Sequence, residues 1–237
     1  MVQLHANAIH SFLLIGQSNM AGRGKPEDAL PVDGTHIRIL RCGRWKKFFR
    51  PVNPDRSFSG VCLAESFAEA YAGSNGVTAG LIPCADGDTT LAQWQPGELL
   101  YDHAVAMAKL AMRTSQLTAI LWHQGEANCA EHLTGPYEEE LLYMLTQLRQ
   151  DLGLPNVPVL LGGLGDFLPD CPLDPDLRFA VQINDALRRT ADRLPHAAFV
   201  PAHGLTANAD GLHFNSPSLH AFGLRYFSAL TELQSRT

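Results

Sequence analysis

Six short runs of apolar and β-branched residues recur along the chain, at 9–15, 35–40, 77–83, 118–122, 157–161 and 198–202. The first is broken only by His10 and Ser11, and all six have the length and character of strands buried on both faces. Between most of them apolar positions return at intervals of three and four. Leu63, Phe67, Ala70 and Tyr71 fall on one helical face, as do Tyr101, Ala104, Val105 and Ala108. Tyr137, Leu141, Leu145 and Leu148 form a third stripe, Phe179, Ile183 and Leu187 a fourth, and Leu219, Phe222, Tyr226 and Leu230 a fifth. Each stripe is the face by which an amphipathic helix packs onto a core. Gly135-Pro136 and Ser216-Pro217 place proline where a helix can begin without losing a needed donor. Strands alternating with helices predict an α/β fold, a parallel sheet with helices on both faces. Ligands of such sheets bind beyond the carboxyl ends of the strands. Residues 50–60 and 165–175 are the loosest stretches and read as surface loops.

With 237 residues and no internal repeat, low-complexity tract or linker, the chain reads as a single domain over 1–237. A hydrophobic content of 46% against 18% charged residues is enough to fill one core and excludes extensive disorder. The net charge of -6, with no basic block, disfavours nucleic acid as a partner. The first residues, Met1-Val2-Gln3-Leu4-His5-Ala6-Asn7, lack the basic region and cleavage site of a secretory leader. No apolar run approaches the roughly 20 residues that span a bilayer, so a cytoplasmic protein without membrane contact is expected. Cys42, Cys62, Cys84, Cys129 and Cys171 are odd in number and show no CxxC spacing, which favours free thiols over disulfides or a zinc site.

Unusual polar or glycine motifs follow five of the predicted strands: Gly16-Gln17-Ser18, Asp86-Gly87-Asp88-Thr89, His123-Gln124-Gly125-Glu126, Gly162-Gly163-Leu164-Gly165-Asp166 and, after the last, Asp210-Gly211-Leu212-His213. All five should meet along one edge of the sheet. A serine hydroxyl is a poor nucleophile until an imidazole takes its proton, and the imidazole needs a carboxylate to fix its tautomer. An aspartate three residues before a histidine can reach the ring nitrogen that faces away from the serine. Ser18, His213 and Asp210 are therefore the candidate nucleophile, base and orienting carboxylate. The glycine-rich segment 162–166 lacks the Lys-Ser/Thr of a phosphate loop and the spacing of a dinucleotide fingerprint, so it reads as a tight loop beside the pocket.

The blocks Gly16-Gln17-Ser18-Asn19-Met20-Ala21-Gly22, Gly87-Asp88-Thr89-Thr90-Leu91-Ala92-Gln93-Trp94, Trp122-His123-Gln124-Gly125-Glu126-Ala127-Asn128 and Asp210-Gly211-Leu212-His213-Phe214 together resemble the SGNH hydrolases. Within that superfamily they resemble the carbohydrate-esterase branch of acetylxylan esterases and sialate O-acetylesterases. The resemblance implies a three-layer α/β/α fold with a mostly parallel, flavodoxin-like sheet. It also implies a triad of Ser18, His213 and Asp210, and an oxyanion hole from the Ser18 N–H, the Gly87 N–H and the Gln124 side-chain amide. The reaction would need no metal and no cofactor. The family's second block has Gly-Gly-Thr where this chain has Gly87-Asp88-Thr89, which makes Asp88 a candidate specificity element.

Further substrate contacts are expected from Trp94, Glu126 and Arg23. Glu126 reads first as a support for the Gln124 loop and second as a substrate contact. Trp94 reads equally as core or as a stacking surface for a sugar, and Trp122 as core. Arg23 reads as a solvated side chain or as the partner of a sialate carboxylate. The expected activity is removal of O-acetyl groups from a carbohydrate, an acetylated xylan-type sugar or a sialic acid, through an acetyl-serine intermediate. The partner is then a small-molecule or oligosaccharide acetyl ester. A lipid, thioester or other acyl ester is the alternative substrate, and a catalytically silent carbohydrate-binding protein on the same fold is the alternative class.

Overall fold

The computed structural model describes residues 9–236; the segment 1–7 that was read for a secretory leader, with His5, lies outside the described residues. In chain order the main elements are β1 (Ile9–Gly16), α1 (Ser18–Ala21), β2 (Ile37–Arg41), β3 (Arg44–Lys47), α2 (Ala64–Asn75), β4 (Thr78–Pro83), α3 (Leu99–Met112), β5 (Gln116–His123), α4 (Glu131–Thr134), α5 (Tyr137–Asp151), β6 (Val159–Gly162), α6 (Ala180–Arg193), β7 (Ala197–Val200) and α7 (Ser216–Ser235). All six predicted strands form.

The seven strands make one sheet in the order β3-β2-β4-β1-β5-β6-β7. Every neighbouring pair is parallel except β2 with β3. The run β4-β1-β5-β6-β7 has the flavodoxin-like order, and the β2–β3 hairpin extends it at the β4 edge. The chain leaves β1 toward β4 and later returns to β1's other side as β5, so the carboxyl end of β1 is the topological switch point where such sheets hold ligands.

Alternation along the strands divides the core into two layers. Leu13 and Ile15 of β1 pack with Ile120 and Trp122 of β5 and with the buried faces of α3, α5 and α6. Phe12 and Leu14 point the other way, to Leu121 and to the buried faces of α2 and α7. Residues Phe12, Leu13, Leu14 and Ile15 are at most 1% exposed, so each contributes about 1.5–3 kcal/mol of apolar burial. All five helical stripes face these layers, although Ala70, Val105 and Phe179 are only partly buried and Phe179 precedes α6 in a 3-10 turn. The five cysteines are free thiols, Cys42 exposed and the others buried.

The structure departs from the sequence reading at three places. Strand β3 has no apolar pattern, because as an edge strand it exposes Arg44, Lys46 and Lys47 and half-buries Trp45 alone; such charges protect a sheet edge from pairing with another chain. Residues 50–60 are not a simple surface loop: Val52, Asn53 and the Asp55 side chain are buried against the site described below. Residues 165–175 similarly bury Leu168 and Cys171 while leaving Asp174 exposed.

Candidate active site

Strand β1 ends on Gly16 at φ 126, a conformation that favours glycine, and a Cβ there would lie 2.0 Å from the His123 carbonyl oxygen. This close approach lets the Gln17 N–H bond the His123 carbonyl at 2.9 Å and starts the single turn of α1. Ser18 is the first residue of that turn, where an N–H has no intrahelical acceptor. The Ser18 N–H has no other protein acceptor among the described residues. Gln17 Oε1 accepts the N–H groups of Gly125 and Ala127 at 3.2 and 3.3 Å, joining the first and third motif blocks.

Ser18 Oγ lies 3.0 Å from His213 Nε2, and His213 Nδ1 lies 2.8 Å from Asp210 Oδ2. The other Asp210 oxygen accepts the backbone N–H groups of Leu212 and His213 at 2.9 and 3.0 Å. Partial burial pushes the Asp210 carboxyl up, but the His213 N–H, the His213 ring and the Leu212 N–H outweigh it and hold the carboxyl below its ordinary value. Ser18 is 7% exposed, while Asp210 and His213 are half-buried. The three predicted triad residues are thus joined in one continuous hydrogen-bonded chain.

Asn19 ties the loop of His213 to the nucleophile turn, a role that sequence reading missed. Its Oδ1 accepts the Phe214 N–H at 3.0 Å, and its Nδ2 donates to Glu126 Oε1 at 2.6 Å. Glu126 thus braces Asn19 of the nucleophile turn and also borders the pocket. Its Oε2 and His123 Nδ1 are buried with no hydrogen-bond partner among the described residues. His123 Nε2 faces the Gly163 carbonyl at 3.1 Å, which can only accept, so that nitrogen carries the proton. Burial pushes the His123 pKa down.

The second block departs from expectation. The Gly87 N–H points to Asp55 Oδ2 at 2.9 Å, and Asp55 is held by Arg23 through two bonds of 3.0 and 2.7 Å and by Ser59 Oγ at 2.7 Å. Desolvation pushes the Asp55 carboxyl up; the bonds from Arg23, Ser59 and Gly87 prevail and lower it. Arg23 is correspondingly a buried residue of the pocket wall, not a solvated one. A Cβ on Gly87 would meet Arg23 Nη2 at 2.4 Å and Ser18 Cβ at 3.5 Å, so only glycine lets the guanidinium and the serine flank it so closely. Asp88 is exposed at φ 62, a left-handed conformation that aspartate tolerates better than most side chains and glycine best.

Gln124 is turned away from the serine. Its Nε2 donates to the Thr89 carbonyl at 3.0 Å and to Asn128 Oδ1 at 2.7 Å, and its Oε1 accepts the Tyr137 hydroxyl at 3.0 Å. Both amide hydrogens are spent on bracing the second and third blocks, and the side chain is fully buried. In this structure neither Gln124 nor Gly87 offers a free donor to an ester. Trp94 is also no surface residue: it is 1% exposed, packs edge-to-face on Trp122 and donates to Thr89 Oγ1 at 3.1 Å.

A pocket of about 250 Å³ opens beside Ser18 and His213, bordered by Arg23, Arg56, Phe58 and Asp88 on one side and by Asp174, Leu177 and Leu212 on the other. Sequence reading passed over Arg56, Phe58 and Asp174, which lie on loops without periodicity. Among the described residues no group of three His, Cys, Asp or Glu side chains is placed to hold a metal ion, and no helix is long and apolar enough to cross a membrane.

A probable carbohydrate esterase of Arabidopsis thaliana is 27% identical over 243 residues, covering 90% of this chain and 86% of the relative. The solved structure of that Arabidopsis protein superposes with a TM-score of 0.82 at 25% identity, covering 94% of this chain and 98% of the other. A carbohydrate acetylesterase from Xanthomonas citri shares the fold with a TM-score of 0.72 at 17% identity, over 97% of this chain and 57% of its own. The family model described as carbohydrate esterase, sialic acid-specific acetylesterase, matches residues 8–232. The chain therefore belongs to the carbohydrate esterase, sialic acid-specific acetylesterase family, and is a carboxylic ester hydrolase.

Proposed function

We propose that this protein removes O-acetyl groups from a carbohydrate through an acetyl-Ser18 intermediate. The observation that carries the reading is the unbroken chain from Ser18 Oγ through the His213 ring to Asp210, at 3.0 and 2.8 Å, opening on a pocket. Ser18 Oγ attacks the acetyl carbonyl carbon while its proton passes to His213 Nε2, and Asp210 stabilises the imidazolium that results. Collapse of the tetrahedral intermediate breaks the bond to the sugar oxygen, which takes the proton from His213. A water then gives a proton to His213 and attacks the acetyl carbon; acetate leaves and Ser18 recovers its hydrogen.

The oxyanion is assigned to the Ser18 N–H, the donor left without a protein acceptor. A pocket of about 250 Å³ has room for an acetyl group and a sugar ring.

The test is turnover of an O-acetylated sugar and of ethyl acetate by wild type and Ser18→Ala, together with covalent labelling by a fluorophosphonate. Wild type should release acetate and take the label at Ser18, and the variant should do neither while keeping its circular dichroism. Retained activity in the variant would refute the assignment. Faster turnover of octanoyl than acetyl esters would move the substrate to another acyl class.

A further inference from the structure

We propose that the pocket receives an uncharged sugar ring stacked on Phe58 and turns away sialates and other anionic sugars. This inference rests on the esterase reading above and names its substrate class.

Phe58 is 69% exposed at the mouth of the pocket that holds Ser18. Its ring is not adrift. The Arg23 guanidinium lies 5.2 Å from the ring centroid, and Arg23 is itself locked to Asp55. The turn that carries the ring is pinned on both sides, by the Arg56 N–H to Ser59 Oγ at 3.0 Å and by the Ser59 N–H to the Arg56 carbonyl at 3.1 Å. A large apolar ring presented to water on a hydrogen-bonded turn at the entrance to a reaction site is an arrangement that can stack on the C–H face of a pyranose. Both candidate tryptophans are buried, so neither can take that role.

Charge selects among sugars. Both arginines of the pocket wall already have carboxylate partners: Arg23 holds Asp55, and Arg56 Nη1 lies 2.7 Å from Asp86 Oδ1. Asp88 and Asp174, both exposed on the lining, form no ion pair among the described residues. Negative charge therefore exceeds positive around the entrance, on a chain whose net charge is already -6. A sialate carboxylate would enter against that field with no unpaired cation to receive it. Neutral hydroxyls meet no such penalty, and Asp88 and Asp174 can accept hydrogen bonds from them.

The experiment compares kcat/KM for an O-acetylated methyl xyloside, an O-acetylated sialic acid and ethyl acetate. Wild type should favour the neutral sugar over the sialate by about tenfold or more. Phe58→Ala should lower the ratio of xyloside to ethyl acetate turnover by about five- to tenfold, and Phe58→Trp should restore it. The Asp88→Asn, Asp174→Asn double variant should raise kcat/KM for the sialate relative to the xyloside, most clearly at low salt. A sialate turned over as well as the xyloside, or a Phe58→Ala variant with an unaltered ratio, would overturn the inference. Failure of all three esters would instead overturn the esterase reading itself.

Discussion

Arg23 and Asp55, 32 positions apart in the chain, meet through two parallel N–H···O bonds of 3.0 and 2.7 Å with side chains only 5% and 4% exposed. This pair clasps the segment after the nucleophile turn to the loop 50–60, and Asp55 also receives the Gly87 N–H.

Removing one partner should cost far more than a surface ion pair, because the survivor is left charged and buried. Arg23→Met or Asp55→Ala should lose about 3–5 kcal/mol of stability in urea titrations. A loss below about 1 kcal/mol would show that water reaches the pair.

The pair also sets a pH dependence. The Asp55 carboxyl is lowered on folding, as is that of Asp210, so between the folded and unfolded pKa values the unfolded chain binds more protons. Their contribution to stability is complete above the unfolded carboxylate value, near about 4, and is lost as pH falls through the folded values. Wild type should lose stability below about pH 4, and Asp55→Asn should show a shallower acid limb. Parallel limbs in the two proteins would contradict the lowered Asp55.

Asp210→Asn keeps an oxygen that can accept the two backbone N–H groups but offers an amide hydrogen to His213 Nδ1. The imidazole is then forced to carry its proton on Nε2, the nitrogen that must accept from Ser18. The kcat should fall by about 10⁴ with little change in melting temperature.

Asn19 reaches two blocks at once, so Asn19→Ala should loosen the His213 loop without touching the triad chemically. We expect a loss of up to about 100-fold in kcat with KM nearly unchanged. A change confined to KM would place Asn19 on the substrate instead.

Gln124 separates two roles cleanly. As a buried brace, its replacement by Ala leaves the Thr89 carbonyl without its donor, while the Tyr137 hydroxyl keeps the Gln124 carbonyl and Asn128 Oδ1 keeps the Leu91 N–H, and the melting temperature should drop with a loss of about 1–3 kcal/mol. An oxyanion donor would instead cost about 10²- to 10³-fold in kcat at unchanged stability.

The strands and helical stripes were legible because burial repeats with period two or near 3.6, and a core of this size enforces that period over many residues. Strand β3 was not, since an edge strand buries little and Arg44, Lys46 and Lys47 carry no apolar rhythm; Gly43 in the hairpin turn, at φ 71, was its one local signal. Ser18, His213 and Asp210 stood out as candidates by residue type and, for the last two, by spacing, and the structure brings them within hydrogen-bond reach. Arg23, Trp94 and Gln124 were harder, because side-chain direction at a strand end depends on what arrives from elsewhere in the chain.

By itself the sequence determined the α/β class, the positions of six strands and the trio of catalytic candidates, all properties of local period and short-range spacing. Tertiary structure alone decided that Asp55 occupies the Gly87 N–H, that Gln124 spends both amide hydrogens on its neighbours and that Phe58 rather than Trp94 stands at the pocket mouth. Each of these is a competition among groups for the same donor or the same dry volume, and its outcome is fixed only when distant segments pack together.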